Sequence, residues 1–155
     1  MACNRRERAV YLGFKKAGIS GLSESSGHKP ITLGGSAEEL LLAVSQSATH
    51  FAHAGVEGPY TLVLDRTHWQ QLSTYVAGYP LRDHVRSTLG GDVILSNTVD
   101  ANLVVSTRGG DFGLILGQDF SVGYESHDTR TVRLYFTESF TFRVLDPAAV
   151  IVLKS

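Results

Sequence analysis

Arg108 to Tyr124 read RGGDFGLILGQDFSVGY. A glycine pair precedes an apolar run, and a Gly-Gln-Asp step interrupts that run. The segment admits three readings: a phosphate cradle, a calcium loop, or strands. A phosphate-binding P-loop closes on Gly-Lys followed by Ser or Thr, and none follows here. A calcium loop needs oxygen ligands at alternating positions and a closing Glu, which Phe112-Gly113-Leu114-Ile115-Leu116 does not supply. One Arg-Gly-Gly in a chain of formal charge -1 is poor footing for RNA. What remains is a turn feeding a strand over Phe112–Leu116, a bend at Gly117, and a second strand over Phe120–Tyr124. Gly109, Gly110 and Gly117 then serve backbone geometry rather than phosphate.

Downstream, Arg130 to Leu145 reads as one long strand. Leu134, Phe136, Phe140, Phe142 and Val144 alternate onto one face; Arg133, Tyr135, Thr137, Ser139, Thr141 and Arg143 take the other. Glu138 falls on the apolar face and requires a partner or a bulge. Pro147 breaks the strand, and Ala149–Leu153 is expected to return beside it. Val93–Leu95 and Leu103–Ser106 are further short strands.

Upstream the period changes to helical. Arg5–Ala17 predicts a short helix from Val10, Phe14 and Ala17, stopped by Gly18. Its first turn holds Arg5, Arg6 and Arg8, the wrong sign for a helix N-terminus, so it reads as the tail of a longer helix. Ser20–Gly35 is Ser- and Gly-rich loop around Pro30, with a brief extended piece at Ile31–Leu33. Ser36 and Glu39 form a capping box before a helix carrying Leu40, Val44, Ala48 and Phe51 on one face. Tyr60–Leu64 is a buried strand, and Asp65 caps a helix aligned on Trp69, Leu72 and Val76. After Gly78-Tyr79-Pro80, a third helix turns Leu81, Val85 and Leu89 inward. Helices first and antiparallel strands after give an α+β architecture.

The chain has 155 residues, 43% of them hydrophobic and 19% charged, which suits one domain with a core of its own. Fourteen basic against fifteen acidic residues leave no electrostatic footprint for nucleic acid or an anionic membrane. Cys3 alone makes no internal disulfide and fits a reducing compartment. No apolar run approaches the roughly 18 residues of a membrane span, and no apolar segment follows the basic start as in a signal peptide. A cytoplasmic location is therefore expected.

Candidate chemistry is sparse. His50 and His53 stand three apart on a helix, a spacing that can seed a zinc site, but no third ligand is placed near them. Gly21-Leu22-Ser23-Glu24-Ser25 departs from the hydrolase nucleophile pattern. Glu57, Asp65, Asp100, Asp111, Asp119 and Asp146 sit at element ends, where acids cap or turn. Trp69 on an amphipathic face reads as core. No catalytic residue and no metal ligand is assigned, and the chain is expected not to be an enzyme.

Five motifs in order carry a resemblance: GPYTLVL (58–64), AGYPL (77–81), LVVSTRGGDF (103–112), LILGQDFSVGY (114–124) and VRLYFTESFTF (132–142). From about Glu7 to the C-terminus, they resemble encapsulin shell proteins, also called linocin-type bacteriocin proteins. The resemblance implies the Hong Kong 97-type phage capsid fold. It implies subunits that self-assemble into icosahedral cytoplasmic compartments around cargo such as dye-decolorising peroxidases or ferritin-like proteins. It divides the chain into a spine-helix remnant (1–21), an A domain (22–112) and peripheral-domain strands (113–155). Family members are longer at the N-terminus. The expectation is therefore an A domain plus a partial peripheral domain, truncated before an N-terminal arm and an extended loop called the E-loop. The family's flavin site relies on that part, so no cofactor is expected.

By the same resemblance, Val76, Ala77, Gly78 and Tyr79 match the loop lining the five-fold pore. Its plain alternative is an interhelical turn. Phe120 and Val122 lie near the family's cargo groove, although apolar strand residues are usually buried. The face from Leu134 to Val144 is expected to need cover. Leaving such side chains wet forgoes about 1.5–3 kcal/mol each.

Overall fold

A computed structural model describes residues 2–97 and 101–155, with the side chains of residues 2–4 outside that description. The Cys3 side chain and Asp100 therefore lie outside the described residues. In chain order the helices are α1 (Ala2–Leu12), α2 (Leu22–Ser25), α3 (Ala37–His53), α4 (Arg66–Trp69) and α5 (Leu81–Leu89). The strands are β1 (Ile31–Thr32), β2 (Tyr60–Leu64), β3 (Tyr75–Val76), β4 (Tyr79–Pro80), β5 (Val93–Leu95), β6 (Asn102–Ser106), β7 (Phe112–His127), β8 (Val132–Val144) and β9 (Val150–Lys154).

The continuous apolar runs YTLVL, NLVVS and VIVLK need cover on both faces. They form the centre of a five-stranded sheet in the order β1-β9-β6-β2-β5. The inner pairs β2–β6 and β6–β9 are antiparallel, while β1 and β5 add parallel edges. Period-two alternation splits each run between two cores. Leu62, Leu64, Val104, Ile151 and Leu153 pack with Leu40, Val44 and Phe51 of α3 and Leu81, Val85 and Leu89 of α5. Val63, Leu103, Val105, Val150 and Val152 pack on the opposite side with Ile19, Leu22 and Phe142. The capping box forms as read: Ser36 Oγ accepts the Glu39 N–H at 3.2 Å, and Glu39 accepts the Ser36 N–H at 3.0 Å.

Four local expectations are corrected. The first helix ends at Leu12, and the chain turns at Gly13 so that Phe14 pairs with Ile19 across a short bridge. The helix capped by Asp65 lasts only through Trp69 and continues as a 3-10 turn over Gln70–Ser73; Val76 is in a strand. The pieces Phe112–Leu116 and Phe120–Tyr124 are one strand, β7, with register shifts either side of Gln118. Gly117 marks that bulge because a side chain there would meet Ser139 Oγ at 2.8 Å. Finally, β9 does not lie beside the long strand; it joins β6 and β1 in the central sheet. Val150 to Leu153 are apolar on both faces, and only the covered interior of that sheet buries both.

β7 and β8 form a separate two-stranded ribbon. It leaves the body where Asp111 accepts the Leu145 and Asp146 N–H groups through its backbone carbonyl. Arg108 clamps the same place, donating to Asp111 at 2.8 Å and to Asp146 at 3.0 Å.

Candidate functional site

The segment Val76-Ala77-Gly78-Tyr79 is a β-hairpin rather than a plain interhelical turn. Val76 pairs with Tyr79 and Tyr75 with Pro80. Ala77 at φ 50° and Gly78 at φ 81° give the double left-handed turn that two-residue hairpins use. Gly78 adopts this at no steric cost, whereas Ala77 does so under strain. Tyr75 and Tyr79 stand 70% and 66% exposed at the tip. From α5, His84 donates its Nε2–H to the Val76 carbonyl at 3.2 Å and sets its ring edge-on to Tyr79 at 5.7 Å. At the hairpin's base, Trp69 is half-buried in the core and carries the Arg82 guanidinium 5.2 Å from its ring centroid. Val76, Ala77, Gly78 and Tyr79 bear no charge; Val76 packs against the core and the other three are exposed.

Phe120 and Val122 lie on β7. They are not in the core: they are 50% and 56% exposed. Cross-strand pairing puts Leu114 opposite Phe142, Leu116 opposite Phe140, Val122 opposite Phe136 and Tyr124 opposite Leu134. Paired residues share a face, so these side chains make one apolar stripe along the ribbon. Phe120 stacks on Phe136 at 5.1 Å. Phe142 is buried at the root of the stripe, while Leu114, Leu116, Leu134 and Phe136 along it are exposed.

Glu138 finds the partner that its position demands. Arg6 of α1 pairs with it and also with Asp119 at 2.9 Å. Hydrogen bonds from the Phe120 N–H and from Arg6 hold the Asp119 carboxyl below its usual value. Arg6, in the second turn of α1, therefore faces the ribbon's acids. His84 and Arg6 were not identifiable as partners from spacing. For Arg6 the one signal was Glu138 on an apolar face, which calls for a cation without saying which.

The acids at element ends cap and clamp. Asp65 accepts the His68 N–H at 2.8 Å and an Asn102 Nδ2–H at 2.8 Å, and its other contact is the His68 Nδ1 at 2.8 Å. Burial pushes the Asp65 carboxyl up, but those hydrogen bonds together hold it below its usual value. Asp146 caps Ala148 at 2.9 Å. Among the described residues no group of three or more His, Cys, Asp or Glu side chains converges as a metal cluster. Nor is any described helix long and apolar enough to cross a membrane.

A family described as encapsulating protein for peroxidase matches residues 1–141. The chain belongs to the encapsulin shell-protein family. Type 1 encapsulin shell proteins of Rhodospirillum rubrum and Mycobacterium tuberculosis are 41% and 38% identical to it, over 96% of this chain in each case. That of Brevibacterium linens is 40% identical over 90% of the chain. The aligned region is 54%, 56% and 53% of those three proteins, so the chain spans about half the length of the curated relatives it matches. Among solved structures, the virus-like particle from Pyrococcus furiosus superposes with a TM-score of 0.76 at 16% identity, covering 97% of this chain and 63% of that one. A protein of Mycobacterium phage Che8 superposes at 0.58 and 14% identity, covering 80% of this chain and 53% of that one. These likenesses show the encapsulin chain to have the capsid fold, with the α+β architecture expected.

Proposed function

We propose that this encapsulin chain is a structural subunit of a protein compartment, working through contacts between copies rather than through catalysis. The apolar stripe of the ribbon carries the reading. Phe120, Val122, Tyr124, Leu134 and Phe136 are each about half exposed or more in a chain with a capsid fold. A contiguous stripe of this kind marks an association surface in a soluble protein. Burying each such side chain contributes about 1.5–3 kcal/mol, so assembly gains what the isolated subunit forgoes.

In this reading the hairpin Val76–Tyr79 lines an opening where copies meet. Its uncharged tip, with Tyr75 and Tyr79 outward, suits passage of small neutral solutes. Phe120 and Val122 contribute to the surface that holds cargo, and the family's description makes a peroxidase a natural cargo class. The compartment works in the cytoplasm, and the subunit brings no cofactor of its own.

The test is the particle mass of the purified chain by light scattering, with negative-stain imaging. Closed hollow particles are expected. Small soluble oligomers would mean an interaction module that associates without closing a shell. A stable monomer would overturn the reading.

A further inference from the structure

The hairpin of β3 and β4 holds a strained turn on very little backbone. Its ladder is Val76 with Tyr79 and Tyr75 with Pro80. Pro80 has no N–H to donate. A lone two-stranded hairpin is marginal in water at best, and this one also carries Ala77 at φ 50°. Strain of that kind persists only where surrounding contacts over-determine the conformation. Those contacts have to come from outside the hairpin.

At the base they are local. The Leu81 N–H donates to the Thr74 carbonyl at 2.9 Å, and the Thr74 N–H to the Gln71 carbonyl at 3.0 Å. Nearer the tip they come from α5. Leu81 and Val85 are fully buried and Leu89 nearly so, which fixes that helix in the core. His84 lies between them in sequence but reaches the hairpin. Its Nε2 is 3.2 Å from the Val76 carbonyl, which only accepts, so Nε2 carries the proton. A two-residue turn sends the Tyr79 N–H to this same carbonyl, whose two lone pairs serve both donors. The imidazole also meets the Tyr79 ring edge-on, at 5.7 Å and 79°. His84 thus touches both residues that flank Ala77-Gly78. Among the described residues, no other side chain donates a hydrogen bond to the backbone of residues 75–80.

We propose that His84 is the latch of this hairpin. Its Nε2–H on the Val76 carbonyl and its ring against Tyr79 hold the strained turn in one conformation. The tip is otherwise free, with Tyr79 66% exposed, so releasing the latch lets Ala77 leave the left-handed region. The functional consequence rests on reading Val76–Tyr79 as the rim of an opening between copies: there the latch fixes how far the rim projects. The latch itself is a property of the single chain.

The experiment is millisecond hydrogen exchange on the purified full chain, read by mass spectrometry at the amides of residues 75–80. Two substitutions separate the donor from the bulk. His84→Gln places an amide N–H where the imidazole carries its Nε2–H, and His84→Leu fills the space without a donor. Leu and Gln are both good helix formers, so α5 should persist in each, as circular dichroism checks. His84→Leu should speed exchange across the hairpin about fivefold, the effect of losing one hydrogen bond, and His84→Gln should recover most of that protection. Exchange in β2 and β6 should not change in either variant. No rise in His84→Leu, an equal rise in both variants, or a rise shared by β2 and β6 would each overturn the latch. The readout needs no shell. Failure of the chain to form closed particles would therefore sink the rim reading while the exchange result still decides the latch.

Discussion

Single positions set the hairpin and the cap. Among the described residues, Ala77 is the non-glycine residue with positive φ, at 50°. That conformation costs an L-residue about 1–2 kcal/mol, and glycine gives back about 0.5–1 kcal/mol through its freer unfolded chain. Ala77→Gly is therefore expected to stabilise the chain by up to about 1 kcal/mol, read as a higher urea midpoint. A lower midpoint would contradict the strain. Asp65 is the opposite case, a carboxylate that the fold satisfies. Asp65→Ala should cost about 1–3 kcal/mol, through the lost cap and the orphaned Asn102 amide. Its carboxyl is lowered in the folded state, so its contribution is complete above the unfolded value of about 3.9 and fades as pH falls through the lower folded value. The stability gap between the unsubstituted chain and Asp65→Ala should accordingly shrink below about pH 4. Urea melts at neutral and acid pH check this, and a gap independent of pH would refute it. The cap was legible because Asp before a helical run is a local signal. The strain at Ala77 was not, because the sequence does not reveal that Val76 and Tyr79 pair.

At the level of elements, the ribbon depends on two fits. Gly123 lies opposite Tyr135, whose ring crosses it so closely that an added Cβ would overlap the ring. Gly123→Ala should displace the ring and reduce amide protection across the distal half of β7 and β8. In a Tyr135→Ala background the same change should have much less effect, and equal losses in both backgrounds would exclude the clash. The second fit is Arg6 across to Glu138 and Asp119. Arg6→Gln should free α1 from the ribbon and speed proteolytic cleavage within residues 2–12, with the central sheet unchanged. An unaltered cleavage rate would show that apolar contacts alone hold α1. The alternation in β8 was readable because a half-covered strand repeats every two residues. The continuity of β7 was not: Gly117 signals a bulge and a break alike, and only pairing with Ser139 and Phe140 distinguishes them.

For the whole molecule, the question is what the ribbon's open face meets. Leu134→Asp with Phe136→Asp should lower the particle mass of the purified chain while leaving its circular dichroism intact, since both side chains are already exposed. Unchanged particle mass would remove the stripe from assembly. The sequence by itself determined the helical and strand periods, the capping box, the neutral charge balance and the motifs shared with encapsulin shell proteins. Each depends on neighbours a few residues apart or on residue order. Only the tertiary structure decided that β9 closes the central sheet, that β7 and β8 stand apart from it, and that Arg6 meets Glu138. These choices turn on which apolar faces can be covered at once, and on contacts between residues far apart in the chain. A local pattern requires that a face be buried; the packed molecule selects what buries it.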